Sequence, residues 1–366
     1  MKTYVVGGYI RDQILGIAPK DKDYVVVGAS PAEMQAQGFI PVGQDFPVFL
    51  HPITKEEYAL ARTERKTGQG YKGFTFYATP EVTIEQDLYR RDFTMNAIAQ
   101  EINSNGELVG PLIDPYGGQK DIQAKVIRHV SAAFSEDPLR ILRLARLMAR
   151  LLEFQVEETT FSMVRKMVQE GELRFLVPER VWLEISRGLL ELKPSRMIQI
   201  LIETSAVHDV LPKGFEDAEV LQKTLEAIDL GVKQSDLQIQ VAFLLAFVDL
   251  TELEEWTANW KIPTELKNFA KIFHQFLRVQ DIKNLSAEQA LNFFNQSDAS
   301  RKLDRLEKVI LAASLLGINI QLWQKLLEAF NSVDAGQIAK NLQSTNGLII
   351  QNEIAKARLQ AIAVCL

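Results

Sequence analysis

Hydrophobic and polar positions follow two different patterns in this chain, and the change falls between residues 120 and 140. Before it, short β-branched runs at residues 4–6 and 24–28 are bounded by glycine turns, which is typical of strands. Further strands are predicted at residues 48–50 and 57–62. After it, apolar residues recur every three or four positions, which predicts helices. The pattern therefore predicts a small α/β head followed by a long all-helical body.

The helical part is predicted to begin with an amphipathic helix for which Ser135 is the N-cap. Its apolar side chains form one face, and its four arginines fall within about 120° of arc on the other side. These arginines are Arg140, Arg143, Arg146 and Arg150. Later helices are predicted at residues 159–169, 179–191, 237–245, 287–294, 303–315 and 348–363.

Length and composition narrow the class of protein. A chain of 366 residues is too long for one ordinary core, so two or more domains are expected. The net charge of −6 argues against binding nucleic acid through overall charge, although a local basic surface is compatible with it. A single cysteine, Cys365, excludes an internal disulfide and is consistent with a reducing compartment. Neither a leader peptide nor a membrane span is predicted, so a soluble cytoplasmic protein is expected.

The first strand, its glycine turn and the second strand carry the first candidate site. Gly7 and Gly8 let backbone N–H groups approach a ligand closely, and the following helix N-terminus favours an anion such as phosphate. Asp21 and Asp23 lie two residues apart, so their carboxylates share a face and suit Mg²⁺. Such a pair alone is usually a solvated strand end. The glycine turn and Arg11 beside it favour a metal-dependent phosphoryl or nucleotidyl transfer.

Glu57, on a later strand, is a candidate third carboxylate, and an exposed acid without a role is an equally good interpretation. Residues 90–97 are predicted to open a helix on which Asp92 and Asn96 share a face. Arg91 at its start would be placed to hold a triphosphate bidentately.

Asp137 and Arg140 lie three residues apart at a helix start, where they would be neighbours. One acceptor and a fork of donors can satisfy the polar edge of a nucleobase without a template. The alternative is an exposed ion pair that caps the helix, worth about 0.5 kcal/mol. Arg143 and Arg146 continue the stripe without an acidic partner nearby in sequence, which favours ligand binding.

Five motifs occur together in order: Gly-Gly-x-x-Arg-Asp with Asp-x-Asp, Arg-Arg-Asp-x-x-x-Asn, Asp-x-x-x-Gly and Glu-Asp-x-x-Arg. With this spacing the chain resembles the bacterial class II CCA-adding enzymes, which are tRNA nucleotidyltransferases of the polymerase-β superfamily. The resemblance is close over residues 1–200 and thins beyond them. Residues 46–51 and 61–66 resemble the CCA-adding branch more than its poly(A) polymerase relatives.

The resemblance implies an α+β fold in which a nucleotidyltransferase head, a mixed sheet flanked by helices, precedes an all-helical neck, body and tail. The expected divisions are a catalytic head at 1–130, a neck with the base-reading motif at 131–205, and a tRNA-binding body and tail at 206–366.

The resemblance also implies roles for single residues. Asp21 and Asp23 would be catalytic and bind Mg²⁺, and Gly8, Arg11 and Arg91 would hold the incoming triphosphate. Asp137 and Arg140 would read the base of CTP or ATP. Arg143 and Arg146 would complete the nucleotide pocket. Residues 114–118 would form the family's hinge-like element, and the 62–75 loop would help the pocket switch from CTP to ATP.

One departure concerns the body. Many relatives carry a metal-binding phosphohydrolase (HD) domain with clustered histidines, whereas the four histidines here are scattered and Val248 precedes Asp249 where those relatives have His-Asp. No phosphatase or phosphodiesterase activity is therefore expected.

The resulting hypothesis is Mg²⁺-dependent, template-independent addition and repair of the 3′-terminal CCA of tRNA, using CTP and ATP. The expected partners are tRNA and these nucleotides, without a membrane, and the expected state is a monomer or weak dimer. The alternatives are a poly(A) polymerase, an enzyme that adds only CC or only A, and a catalytically silent tRNA-binding protein.

Overall fold

The computed structural model describes residues 1–19, 21–42, 48–66, 74–342 and 346–366. The chain divides into two compact units. The first consists of Met1–Val181 with Ile200–Asp209, and the second of Trp182–Gln199 with Val210–Leu366.

A seven-stranded mixed sheet forms the centre of the first unit, with the strand order β3-β4-β5-β2-β1-β8-β9. Its strands are β1 (Lys2–Val6), β2 (Asp23–Val27), β3 (Ile40–Val42), β4 (Val48–Leu50), β5 (Glu57–Leu60), β8 (Ala99–Ile102) and β9 (Leu108–Ile113). Only β2 and β5 pair in parallel, and the other neighbours are antiparallel. Two further strands, β6 (Thr63–Lys66) and β7 (Phe74–Tyr77), pair as a separate antiparallel ribbon.

The β1–β2 pairing determines where the first candidate site lies. Val6 at the end of β1 is opposite Asp23 at the start of β2. The Gly7 turn and the Asp-x-Asp sequence therefore lie at the same end of these two central strands. The strands are fixed in this register because Tyr4, Val6 and Val25 are buried in a common cluster on one face.

Helices cover this sheet and extend the first unit. They are α1 (Gly8–Ile14), α2 (Pro31–Ala36), α3 (Ile84–Tyr89), α4 (Gly118–Ala124), α5 (Leu139–Arg150) and α6 (Glu158–Gln169). A short parallel pair, β10 (Val126–Ile127) with β11 (Gln155–Val156), and 3₁₀ turns at Thr94–Asn96, Ala132–Glu136 and Glu172–Phe175 complete it.

From α7 onwards the described chain is helical. The helices are α7 (Pro178–Leu189), α8 (Pro194–Glu203), α9 (Val207–Val210), α10 (Ala218–Gly231), α11 (Leu237–Leu244), α12 (Leu250–Asn259), α13 (Thr264–Gln280), α14 (Ala287–Gln296), α15 (Leu303–Leu315), α16 (Gln321–Asn331), α17 (Ala335–Leu342) and α18 (Gly347–Ala363), with 3₁₀ turns at Lys213–Glu216 and Val232–Gln234. Within the described residues, every helix is too short or too polar to cross a lipid bilayer.

The predicted α+β architecture is confirmed, and two local predictions are wrong. The helix after Ser135 begins only at Leu139, because residues 132–136 form a 3₁₀ turn in which the Ser135 hydroxyl bonds back to Ala132. Residues 90–97 do not open a helix: α3 ends at Tyr89 with Arg90 as its C-cap, and the 3₁₀ turn Thr94–Asn96 follows. Residues 46–47, and residues 67–73 of the 62–75 loop, lie outside the described part of the chain.

Candidate functional site

The turn after β1 brings together side chains from three distant segments. Gly7 has a φ of 75°, which favours glycine. A Cβ added to it would lie 3.1 Å from Nη1 of Arg91 and 3.9 Å from Oδ2 of Asp23. Nη1 of Arg91 and Oδ2 of Asp23 therefore both face the Gly7 turn, at most about 7 Å from each other, and glycine leaves this space open.

Asp21 and Asp23 are both exposed, so their oxygens are accessible to a cation. Tyr24 is opposite Tyr58 in the parallel β2–β5 pairing, which places Asp23 and Glu57 on the face of the sheet away from those rings. Within the described ranges, no group of three or more His, Cys, Asp or Glu side chains is arranged to hold a metal ion. The donor set is thus two hard carboxylates, which fits a cation that takes its remaining ligands from phosphate oxygens and water.

Asp87 anchors the arginine at this site. It is completely buried and accepts from Nη2 of Arg91 at 3.3 Å and from Nη2 of Arg90 at 2.9 Å. Burial by itself would raise the pKa of Asp87, but the charges of Arg90 and Arg91 hold it below its ordinary value. Nε of Arg91 is buried without a partner among the described residues. Among the described residues, the guanidinium of Arg91 is therefore bonded only through Nη2.

Arg11 lies deeper than the sequence suggested. It is 5% exposed and donates through Nε and Nη2 to Oδ1 of Asp12, at 2.9 and 2.7 Å. Nη1 donates to Oδ1 of Asn96 at 2.8 Å. The other carboxylate oxygen of Asp12 accepts from Nη2 of Arg150 at 2.7 Å. A phosphate-binding role for Arg11 remains a prediction.

Asn96 continues these contacts toward α5. Its Nδ2 donates to Oδ1 of Asp92 at 3.1 Å, and Oδ2 of Asp92 accepts from Nε of Arg143 at 2.7 Å. Although burial favours the neutral acid, the guanidinium of Arg143 and the amide of Asn96 hold the pKa of Asp92 far below its usual range. We call this continuous set the buried charge network: Arg150, Asp12, Arg11, Asn96, Asp92 and Arg143. It ties α1, the 94–96 turn and α5 together.

The predicted base-reading residues lie at the start of α5. Oδ1 of Asp137 accepts from the backbone N–H of Leu139 at 3.1 Å, and Oδ2 accepts from Nη2 of Arg180 at 3.0 Å. Arg140 is 8% exposed, and its two Nη atoms donate to the carbonyl oxygens of Ala133 and Arg90. Both side chains are thus held in fixed orientations, by a partner from α7 and by backbone carbonyls.

The Asp114–Gly118 segment packs closely against the 94–96 turn. Asp114 accepts from the backbone N–H groups of Gly118 and Gln119 at 2.7 and 2.9 Å, which starts α4. A Cβ on Gly118 would lie 2.2 Å from the carbonyl oxygen of Thr94, so α4 can approach the 94–96 turn only with glycine here. A hinge-like role for this segment remains a prediction.

The structure therefore brings Gly7, Gly8, Asp23 and Arg91 to one place, and gives Arg143 an acidic partner, Asp92, that lies 51 residues away in sequence. Arg146 lies on α5, as Arg143 does. The sequence analysis missed Asp87, which anchors Arg91, and Arg180, which holds Asp137. An Asp four residues before an Arg near a helix end was a usable signal for Asp87. No local signal pointed to Arg180.

Comparison with known proteins gives consistent likenesses. The sequence family described as "Poly A polymerase head domain" matches residues 3–128, and the one described as "Probable RNA and SrmB- binding site of polymerase A" matches residues 153–216. The chain is 41% identical to the multifunctional CCA protein of Burkholderia lata, in an alignment that covers 100% of this chain and 99% of that protein.

Solved structures share the fold. The CCA-adding enzyme of Bacillus stearothermophilus in complex with CTP has a TM-score of 0.71 and 23% identity, covering 99% of this chain and 88% of that one. The CCA-adding enzyme of Thermotoga maritima complexed with tRNA has a TM-score of 0.65 and 24% identity, covering 99% of this chain and 87% of that one. These likenesses extend over both units.

Proposed function

The chain belongs to the family of the CCA-adding tRNA nucleotidyltransferases, and we propose that it adds and repairs the 3′-terminal CCA of tRNA from CTP and ATP. The reaction needs no nucleic-acid template and releases pyrophosphate. The observation that carries the proposal within this chain is that Arg91 and Asp23 both face the Gly7 turn, with the exposed Asp21 two residues before Asp23. Phosphate-binding and metal-binding groups are there within reach of one another.

The family is metal-dependent, and Mg²⁺ is the ion we assign to Asp21 and Asp23, because hard carboxylate oxygens suit it. Bound there, it would supply charge neutralisation on the phosphates and activation of the attacking 3′-hydroxyl. We assign the contact with the triphosphate to Nη1 of Arg91, which faces the Gly7 turn, since Nη2 is bonded to Asp87. Gly8 contributes its backbone N–H at the start of α1, and Arg11 lies directly beneath it, with Nη2 3.5 Å from the position of a Gly8 Cβ.

The base of the incoming nucleotide is read by Asp137 and Arg140 at the start of α5. A carboxylate has about four lone-pair sites, so after its bonds to Leu139 and Arg180 Asp137 can still accept from the amino group of cytosine or adenine. We assign Arg140 to donate to the ring acceptors, which requires N–H groups other than those bonded to the carbonyls of Ala133 and Arg90. Arg143 and Arg146 are assigned to the same nucleotide pocket.

The remaining parts of the chain support this chemistry. We assign residues 1–130 to the catalytic head, 131–205 to the neck and 206–366 to a tRNA-binding body and tail. The family matches over 3–128 and 153–216 support the first two assignments. The protein is proposed to act in the cytoplasm as a monomer or weak dimer.

A direct assay tests the proposal. A tRNA transcript lacking its CCA end is incubated with CTP alone, ATP alone and both, and the products are sequenced. We expect CC with CTP and CCA with both. Products that stop at CC or gain only A would identify a partial enzyme, and long A tails a poly(A) polymerase. If the folded protein binds tRNA but does not extend it, only the tRNA-binding role remains.

Asp87→Asn tests how the triphosphate is held. Removing the charge frees Arg91 from its anchor, so KM for CTP and for ATP should rise together by about tenfold, the size expected for a hydrogen bond between charged groups. The ranking of nucleotides should not change. Steady-state kinetics with all four nucleotides measure both quantities.

Asp121→Asn is the matched control for Asp87→Asn. Asp121 is also buried in the head and bonds to Thr94 and Arg128, away from Arg91. It should lower the melting temperature without raising KM. An Asp87→Asn protein whose KM equals that of the control would contradict the anchoring role.

The body is expected to lack phosphohydrolase activity. Val248 is 2% exposed, and its carbonyl oxygen lies 2.8 Å from Nε2 of His274. Because a carbonyl only accepts, Nε2 must carry its hydrogen and is committed to this bond. Purified protein should therefore not hydrolyse phosphomonoesters or phosphodiesters with Ni²⁺, Mn²⁺ or Mg²⁺. Robust turnover that survives Asp21→Ala would refute this.

A further inference from the structure

Arg11, which lies against the Gly7–Gly8 turn of the proposed triphosphate site, keeps donors that its neighbours do not use. Its Nη2, Nη1 and Cζ atoms lie 3.5, 3.9 and 3.9 Å from the position of a Cβ on Gly8. A guanidinium has five N–H groups, and the bonds to Asp12 and Asn96 use three of them. Among the described contacts, one N–H on each Nη atom therefore remains for a ligand.

Asp12, the carboxylate that holds Arg11, is shared with a second arginine. Its Oδ1 accepts from Arg11, and its Oδ2 accepts from Nη2 of Arg150 at 2.7 Å. The side chains of Asp12 and Arg150 are only 5% and 18% exposed, so water and salt screen this ion pair weakly. Arg150 is the last residue of α5, whereas Asp12 lies on α1. One buried carboxylate thus balances two guanidinium groups from different helices.

The charges around Arg11 sum to one surplus positive charge. Burial and the charge of Arg150 lower the pKa of Arg11, whereas Asp12 and Asp92 raise it. Asp92 is balanced by its bond to Arg143, and Asp12 can balance only one of the two arginines that it joins. Without Arg150, Asp12 would fully offset the charge of Arg11. A cation that water barely reaches attracts a phosphate more strongly than an exposed one, so this surplus matters at the glycine turn.

We propose that Arg150 is a positioning residue for the incoming nucleotide: by taking the second oxygen of Asp12, it leaves the charge of Arg11 available to the triphosphate. This role rests on the proposed function and adds to that site a residue that itself contacts neither the nucleotide nor the metal. All four nucleotides carry the same triphosphate. Arg150 should therefore affect how tightly a nucleotide binds and leave the choice of base, which we assign to Asp137 and Arg140, as it is.

Variants that change the charge of Arg150 test this role. Arg150→Gln removes the surplus, so KM for CTP and for ATP should rise together by about tenfold, the size expected for a hydrogen bond between charged groups. KM for tRNA and the ranking of the four nucleotides should not change. Arg150→Lys keeps the charge and should stay near the wild type. Arg128→Gln is the matched control, because Arg128 also bonds to a buried carboxylate of the head, that of Asp121. It should leave every KM unchanged.

The double variant Asp12→Asn/Arg150→Gln separates charge from stability. It removes the carboxylate as well, so Arg11 regains its surplus charge and KM for CTP should return toward the wild-type value. The melting temperature should nevertheless fall below that of Arg150→Gln, since Arg11 is then buried without an ionic partner. A purely structural role for Arg150 predicts instead that KM and melting temperature worsen together.

A binding measurement keeps the test independent of the reaction. The Kd for inorganic tripolyphosphate, measured by isothermal titration calorimetry without tRNA, should rise about tenfold in Arg150→Gln and recover in the double variant. If wild-type protein binds tripolyphosphate but does not extend tRNA, the proposed function fails while the Kd comparison still decides the role of Arg150.

Several results would overturn this role. One is an unchanged Kd in folded Arg150→Gln protein, and another is wild-type protein that binds no tripolyphosphate. An equal rise in KM for tRNA would indicate a general loosening of α5, and a changed ranking of nucleotides would place Arg150 in base reading. A double variant that binds tripolyphosphate more weakly than Arg150→Gln would show that the effect does not come from charge.

Discussion

Alanine at Asp21 or Asp23 is expected to lower incorporation of CTP and of ATP together by about a thousandfold or more. The carboxylates act on the α-phosphate and the attacking hydroxyl, which are common to both nucleotides. Charge stabilisation of this kind contributes several kcal/mol to the transition state, and each 1.36 kcal/mol is about tenfold in rate. Single-turnover rates with Mg²⁺ on tRNA lacking CCA and on tRNA ending in CC measure the loss for each nucleotide.

Both aspartates are exposed, so the substitutions should leave the fold intact, and circular dichroism and thermal melting check this. Glu57→Ala is the informative companion variant. It removes a carboxylate on the same face of the sheet as Asp23. A loss as large as that of Asp23→Ala would make Glu57 a third ligand, and a small loss would leave it an exposed acid. A folded Asp23→Ala protein with near-wild-type activity would contradict the metal assignment.

Asp137→Ala should erase the preference for CTP and ATP over UTP and GTP while slowing all four. Cytosine and adenine present an amino donor to the carboxylate, whereas uracil and guanine present a carbonyl acceptor at that position. A buried acceptor left unpaired costs about 1–3 kcal/mol, more when charged, which corresponds to about five- to 150-fold or more in selectivity. The measurement is kcat/KM for the four nucleotides on tRNA lacking CCA and on tRNA ending in CC.

Arg180→Ala extends this test, because Arg180 holds one oxygen of Asp137 at 3.0 Å. If it acts through Asp137, it should lower selectivity by itself and add nothing in the Asp137→Ala background. Arg174, a largely exposed arginine before α7, provides the control Arg174→Ala, which should leave the ranking as it is. An Asp137→Ala enzyme that is slower but ranks the nucleotides like the wild type would show that the base is read elsewhere.

The sequence predicted those features that depend on short-range rules. Four strands of the head, β1, β2, β4 and β5, were predicted from short apolar runs beside turn residues, and Asp21 and Asp23 were placed at the start of β2. The order of the strands in the sheet was not predicted. The α6, α11, α15 and α18 helices were placed within one or two residues, because each carries an amphipathic or strongly apolar run. The activity was assigned from the resemblance, because five motifs in one order are highly specific for one family.

What the sequence could not predict depends on contacts between distant segments. Arg143 had no acidic partner nearby in sequence, because Asp92 lies 51 residues earlier. Arg11 was predicted to bind phosphate, because its hydrogen bonds to Asn96 and Asp12 cannot be seen in the sequence. Ser135 was a good N-cap by residue type, yet the chain formed a 3₁₀ turn there. Local propensity is a weak prior that tertiary packing overrides. Arg180 is the clearest case, since it is joined to Asp137 only by the packing of α7.

The buried charge network has a consequence for synthesis on the ribosome. Asp92 becomes buried with the sheet, but Arg143, whose guanidinium neutralises it, follows 51 residues later, and Arg150, which bonds to the second oxygen of Asp12, follows later still. A buried charge whose partner is missing costs several kcal/mol, so the nascent head cannot reach its final packing until residue 150 has left the exit tunnel. For the same reason, a fragment that ends at residue 130 would keep Arg11 beside Asp12 but lose Arg143, so Asp92 would be buried without its guanidinium partner and the fragment would fold poorly.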